Sequence, residues 1–238
     1  MGIFNKIDII KANIFYNQGN LEEALKIYKK LSNSKNLNDA VKLQASYAAI
    51  NCGDLEYTKI YLDKINYNKL QNDNYKISYK QTESLYLWKT GHLDLAIKNL
   101  KSLDKNLENT ATYETLGYLL ILAKDYEEAL KYNTKAYNYN KSNIIIDNLG
   151  ESYYYLNNID KAYDIYKNLL EEEQKTPNFP EAYYYFALTI LKKGTTHSEN
   201  YQEDALKYLN IALEKKESFL SDLNKDIINK EINKIKEN

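Results

Sequence analysis

Arginine is absent from this 238-residue chain, so all 32 of its basic residues are lysine. Without guanidinium groups it lacks the planar, bidentate donors suited to phosphate recognition. The net charge of −1 adds no general attraction to nucleic acid or to a membrane surface. Cys52 is the one cysteine, which excludes an internal disulfide, and its apolar helical surroundings predict a buried, inert thiol. Two prolines and seven glycines are few, which suits long helices with short turns and argues against a β-sandwich. No run approaches the ~20 apolar residues of a membrane span. The start, Met1 to Lys6, has neither a basic leader, an apolar run nor a cleavage site. A reducing, cytoplasmic location is therefore expected.

What is abundant is a repeated phrase. A small residue among hydrophobics leads to a glycine or polar turn, then to an aliphatic, an alanine and an aromatic or leucine. It runs through Gly19-Asn20-Leu21 and returns at Gly53-Asp54-Leu55, Gly91-His92-Leu93, Lys124-Asp125-Tyr126 and Asn157-Asn158-Ile159. A period of 33 to 38 residues is the signature of stacked helix pairs. In the first pair, Ile3, Ile7, Ile10, Ile14 and Phe15 form an amphipathic stripe over 3–17. Leu21, Ala24, Leu25, Tyr28 and Leu31 form the second stripe. Later pairs are expected at 37–51 and 54–65, 74–90 and 93–103, 110–123 and 126–138, 143–156 and 159–173, and 180–193 and 202–215. Residues 217–236 read as one further helix, with Leu220, Leu223, Ile227, Ile228, Ile232 and Ile235 on a stripe. Such a helix would cover the apolar face of the last pair. The polar stretch from Thr195 to Asn200 reads as a surface insertion in the sixth pair.

These residues resemble the tetratricopeptide repeat. Ala12, Ser46, Ser84, Gly117, Gly150 and Ala187 fall at its small helix A position, where two helix axes approach within about 8–10 Å. Ala24, Ala96, Ala129, Ala162 and Ala205 match its helix B alanine, with Thr58 the departure. Phe15, Ala49, Leu87, Leu120, Tyr153 and Ile190 fall at its large apolar position, where Ala49 is undersized. The resemblance spans about 5–215. It implies an all-α, right-handed superhelical solenoid of about six helix-turn-helix repeats over 1–216, with a C-terminal capping helix over 217–238.

Catalytic chemistry is not legible. His92 and His197 stand in separate turns with no metal-ligand spacing, and there is no nucleophile elbow or phosphate loop, so no cofactor, metal or enzymatic activity is expected. The resemblance implies instead that the inner face of each helix A lines a groove for an extended peptide or a partner's helix. Mapping by register puts Asn13, Tyr16 and Asn17 there from the first repeat, and Tyr47 and Asn51 from the second. The third contributes Gln81, Trp88 and Lys89, and the fourth Glu114 and Tyr118. The fifth adds Asp147, Glu151, Tyr154 and Tyr155, and the sixth Tyr184, Leu188 and Lys192. Aromatic rings beside hydrogen-bonding tips suit recognition, but with 25 tyrosines some fall on any face by chance. Members that grip the carboxylate tails of chaperones use Lys and Asn in the first helix A and basic residues in the third. Asn13 is present, but Ile9, Ser78 and Thr82 replace the rest, which argues against such tails.

The expected function is a non-catalytic scaffold or adaptor that binds a peptide or protein, with neither nucleic acid nor membrane as partner. A regulator that changes curvature on binding a signalling peptide is the alternative, and self-association through an array end is compatible with the same pattern.

Overall fold

A computed structural model describes residues 3–34, 37–103, 109–173 and 175–237, with side chains described from Lys6 onward. Twelve helices form six antiparallel pairs: α1 (Ile3–Asn17) with α2 (Leu21–Leu31), α3 (Asp39–Asn51) with α4 (Leu55–Leu62), α5 (Asp73–Lys89) with α6 (Leu93–Lys101), α7 (Thr110–Leu122) with α8 (Tyr126–Tyr139), α9 (Asn143–Tyr155) with α10 (Ile159–Lys167), and α11 (Glu181–Lys193) with α12 (Tyr201–Glu214). A final helix, α13, spans Lys225–Lys236. No strand occurs among the described residues. The chain divides into two compact units, Met1–Glu108 and Asn109–Asn238.

The turns explain why the pairs form where they do. Gly19, Gly53 and Gly91 have φ of 75°, 75° and 87°, the left-handed conformation that closes a helix end. Lys124 and Asn157 take the same role with φ of 62° and 58°, at the cost that a side chain incurs there. The amide after the turn then reaches back to the large apolar position: Asn20 N–H to Phe15 O (2.9 Å), Asp54 to Ala49 (2.9 Å), His92 to Leu87 (2.8 Å) and Asn158 to Tyr153 (2.9 Å). Asn20, Asp54 and Asp125 also accept a bond from the backbone N–H three residues on, which caps the second helix.

The crossings are tight where the sequence places small residues. Ala12, Ser46, Ser84 and Ala187 are fully buried, as are Ala24, Thr58, Ala96, Ala129, Ala162 and Ala205 on the facing helices. A Cβ on Gly150 would lie 2.6 Å from Tyr166 Cζ, and one on Gly117 would lie 2.0 Å from Asn133 Oδ1. Thr58 replaces alanine without orphaning its hydroxyl, which donates to Asp54 O at 2.7 Å. The core of the first unit gathers Ala12, Leu25, Tyr28, Leu31, Val41, Ala45 and Tyr61. That of the second gathers Tyr166, Leu169, Phe186, Ile190, Leu209, Leu223, Ile228 and Ile232.

Three expectations are corrected. Ile7, Ile10 and Ile14 are 58%, 62% and 51% exposed, so α1 turns that stripe to solvent and buries Ala12 instead. The side chain of Ile3 lies outside the described residues. Residues 217–236 are not one helix: 217–224 is irregular and α13 begins at Lys225. The reason is local competition for backbone donors. Ser218 Oγ accepts from Leu220 N–H (3.1 Å), Ser221 Oγ from Leu223 N–H (3.0 Å) and Asn224 Oδ1 from Ile227 N–H (3.0 Å). Finally, Cys52 is half-buried rather than buried.

The 194–200 insertion is fastened to its neighbours. Gly194–Thr196 forms a short 3-10 turn. His197 then contacts Tyr163 Oη through Nδ1 (3.0 Å) and Asp204 Oδ2 through Nε2 (3.1 Å), while Ser198 Oγ donates to the same Oδ2 at 2.7 Å.

Candidate partner-binding faces

Within the first unit, α1, α3 and α5 lie side by side; within the second, α7, α9 and α11 do. Each series presents one face, and the residues expected at the groove fall on these helices.

On the first-unit face, Asn13 accepts from Tyr28 Oη at 3.0 Å, so its amide is partly committed to its own repeat. Asn17 is exposed, while Tyr16, Tyr47, Asn51, Gln81 and Lys89 are half-buried. Tyr16 and Tyr47 meet edge to face at 6.1 Å, and burial followed by the Tyr47 neighbour pushes the Tyr16 phenol up to about 12. Asn51 Nδ2 donates to Tyr47 O at 2.8 Å. Trp88 is only 8% exposed, and Lys89 Nζ sits 3.8 Å from its ring centroid. This side therefore offers an aromatic and amide surface with one cation.

The second-unit face is different in kind. Asp147 and Glu151, one turn apart on α9, are 4% and 2% exposed. Burial raises both carboxyls well above the usual range. Glu181 on α11 adds to the shift at Asp147, and Asp147 and Glu181 both add to it at Glu151. Glu181 is itself raised, again by burial first. Among the described residues, Asp147 Oδ1 and Glu151 Oε1 have no hydrogen-bond partner. Glu114 accepts from Ser142 Oγ at 2.6 Å and is raised by burial.

Around the carboxylates stands a tyrosine group. Tyr154, Tyr155 and Tyr185 have centroids 5.5 to 5.8 Å apart, Tyr155 stacks on Tyr126 at 4.7 Å, and the Tyr155 and Tyr185 hydroxyls are 2.7 Å apart. Lys192 Nζ lies 4.0 Å from the Tyr154 ring centroid. Tyr184 is 7% exposed. Burial comes first in raising both Tyr154, to about 12, and Tyr184, and Glu231 of α13 adds to each.

A later part of the chain reaches this face. The Asp222 N–H donates to Tyr118 Oη at 3.1 Å, and Ser221 Oγ donates to Glu181 Oε1. Ser221, Asp222, Glu181 and Tyr185 were not expected at the face. Read as one helix, 217–236 gave no sign of an irregular crossing. Glu181 stands on a different helix from Asp147 and Glu151, so no sequence spacing links it to them. No group of three or more His, Cys, Asp or Glu among the described residues is arranged to hold a metal ion. None of the helices described is long and apolar enough to cross a membrane.

Repeated pairs with small residues at each crossing, lined up into aligned faces, define a helical-repeat protein. Residues 147–176 match the family model described as tetratricopeptide repeat. A tetratricopeptide repeat-containing protein of Methanocaldococcus jannaschii is 30% identical over 183 residues, 72% of this chain and 32% of that protein. The chain thus spans about a third of the length of this curated relative. Among solved structures, a tetratricopeptide repeat protein from Parabacteroides merdae is similar at a TM-score of 0.71 and 15% identity, covering 98% of this chain and 84% of that one. The C-terminal part of a tetratricopeptide repeat-containing protein from Cytophaga hutchinsonii is similar at 0.54 and 19%, covering 87% and 78%. At these identities the structures speak to the fold alone. The chain belongs to the tetratricopeptide repeat proteins.

Proposed function

We propose that the chain is a non-catalytic interaction module that holds a peptide segment or partner protein on its helix A faces. The observation that supports this most is the first-unit face. There Tyr16, Tyr47, Gln81 and Lys89 are half-buried with surface to offer, and Asn17 is exposed beside them. Rigid rings with polar tips give contact area at low entropic cost. In this reading 1–216 is the repeat array and 217–238 closes it, the working compartment is the cytoplasm, and neither nucleic acid nor membrane is the target. Affinity capture from lysate, comparing the intact chain with a Tyr47→Ala/Gln81→Ala/Lys89→Ala variant of unchanged helicity, tests it. A protein retained by the first and lost by the second supports the reading. Equal retention by both would reject this face as the binding surface.

A further inference from the structure

The second-unit face carries an electrostatic mismatch. Asp147 and Glu151 sit on one side of α9, and Glu181 at the start of α11 is near enough to perturb both. Among the described residues none of the three is in an ion pair, and one oxygen each of Asp147 and Glu151 has no hydrogen-bond partner. Buried polar atoms in folded proteins are normally satisfied, so two bare carboxylate oxygens side by side call for an explanation.

What crosses this cluster is a poor complement to it. From 217–224 the chain contributes the Ser221 hydroxyl to Glu181 and the Asp222 amide to Tyr118. It also brings the carboxylate of Asp222, which acts on Tyr118 together with Glu151 and Glu181. The stretch itself contains no lysine that could pair with the carboxyls. The stretch is short and irregular, and within it Glu217 accepts from the Lys225 N–H (2.7 Å) and Ser221 from the Leu223 N–H (3.0 Å). Its apolar anchor is Leu223, 9% exposed, while α13 is held separately by Ile228 and Ile232.

We propose that the Asp147–Glu151–Glu181 cluster receives the lysine or arginine side chain of a bound peptide, and that 217–224 is the chain's own occupant of this face, displaced when that peptide arrives. The inference rests on the reading of the helix A faces as partner-binding and adds the partner's chemistry: a basic segment. A cation arriving there favours release of the carboxyl protons and offers charge-assisted bonds, which a serine hydroxyl and an amide do not. Tyr154, Tyr155 and Tyr185 beside the cluster would take the aliphatic stem of the same side chain.

The test uses the full chain and an immobilised array of random octapeptides, acetylated and amidated so that only side chains carry charge. The intact protein is compared with Glu151→Gln, which keeps volume and removes charge, and with Asp222→Pro, which removes the amide donor to Tyr118. The peptides retained should be enriched in lysine or arginine, Glu151→Gln should weaken those at least tenfold, and Asp222→Pro should strengthen them severalfold. Hydrogen exchange of 217–224 should speed up when such a peptide is added. Retained peptides without cationic enrichment, or unchanged by Glu151→Gln, overturn the proposal and leave the interaction-module reading standing. Basic peptides that bind while exchange at 217–224 stays slow overturn the displacement. No peptide retained by any variant overturns the proposal and leaves the interaction-module reading to the lysate capture. Should Asp222→Pro lose its helicity, Glu151→Gln and the exchange measurement still decide.

Discussion

Replacing Gly150 by alanine tests a tight helix crossing in the second unit. The new methyl would stand 2.6 Å from Tyr166 Cζ, 2.8 Å from Cε2 and 2.9 Å from Oη, distances that real contacts essentially never show. Tyr166 cannot swing away freely. It is fully buried, its hydroxyl donates to Asp147 O at 3.3 Å, and Phe186 stands 6.2 Å from its ring centroid. Overpacking of this kind costs about 1–3 kcal/mol, and losing the tyrosine bond adds about 1 kcal/mol. The better helix propensity of alanine offsets up to about 1 kcal/mol. The net destabilisation is therefore about 1–3 kcal/mol. For a unit of this size that lowers the melting temperature by roughly 3–15 °C. Thermal and urea unfolding followed by circular dichroism measures it. Adding Tyr166→Leu should return part of the loss, with a coupling of about 1 kcal/mol or more. Gly91→Ala is the control, because nothing lies within 4 Å of its Cβ and only the strain at φ +87° acts, about 1–2 kcal/mol. If Gly150→Ala melts with the intact protein, or if Tyr166→Leu returns nothing, the tight crossing is not what makes glycine necessary.

Raised carboxyls at Asp147 and Glu151 mean that the folded state keeps protons the unfolded chain has already released, so stability should fall as pH rises from about 4 toward neutrality and beyond. Melting at pH 5 should exceed melting at pH 8, and Glu151→Gln should flatten the profile; a stability that instead rises over this range would contradict the assignment. Asn133 is fully buried and its amide donates to Ser152 Oγ at 3.0 Å, so Asn133→Ala should cost about 1–3 kcal/mol in urea unfolding. Ile10 is 62% exposed, and Ile10→Lys should stay within about 0.5 kcal/mol of the parent; a loss of several kcal/mol would mean that the α1 stripe is core after all. His197→Ala removes the contacts to Tyr163 and Asp204 and should speed protease cleavage within 194–200, with little effect on global melting.

The pairs were legible because the physics that makes them is local. A left-handed turn residue, a capping side chain and an alanine at the crossing lie within a few positions of each other. Expected and observed helices accordingly differ by only a few residues from α1 to α12. Direction of burial was less legible. Ile7, Ile10 and Ile14 have helical periodicity, but periodicity states only that a stripe exists, not that another element covers it. The irregular 217–224 stretch was hidden for a related reason. Leu220 and Leu223 fit a helical stripe, while Ser218, Ser221 and Asn224 hold the backbone in another arrangement through bonds that hydrophobicity does not record.

The acid pair on α9 is where local rules are broken. At other crossings the Thr58 hydroxyl donates to Asp54 O and the Asn133 amide to Ser152 Oγ. A helix needing only to stand in this array would be better served by apolar residues at 147 and 151, since a buried carboxyl with an unsatisfied oxygen carries a desolvation cost that an apolar side chain does not. Consistency across levels is what gives a sequence one fold, and sites that sacrifice it tend to be those with work to do. Ser221 and Asp222, from the stretch that follows the repeats, bond to Glu181 and Tyr118 beside this pair. In the proposal above, lifting that stretch is what opens these costly residues to a ligand.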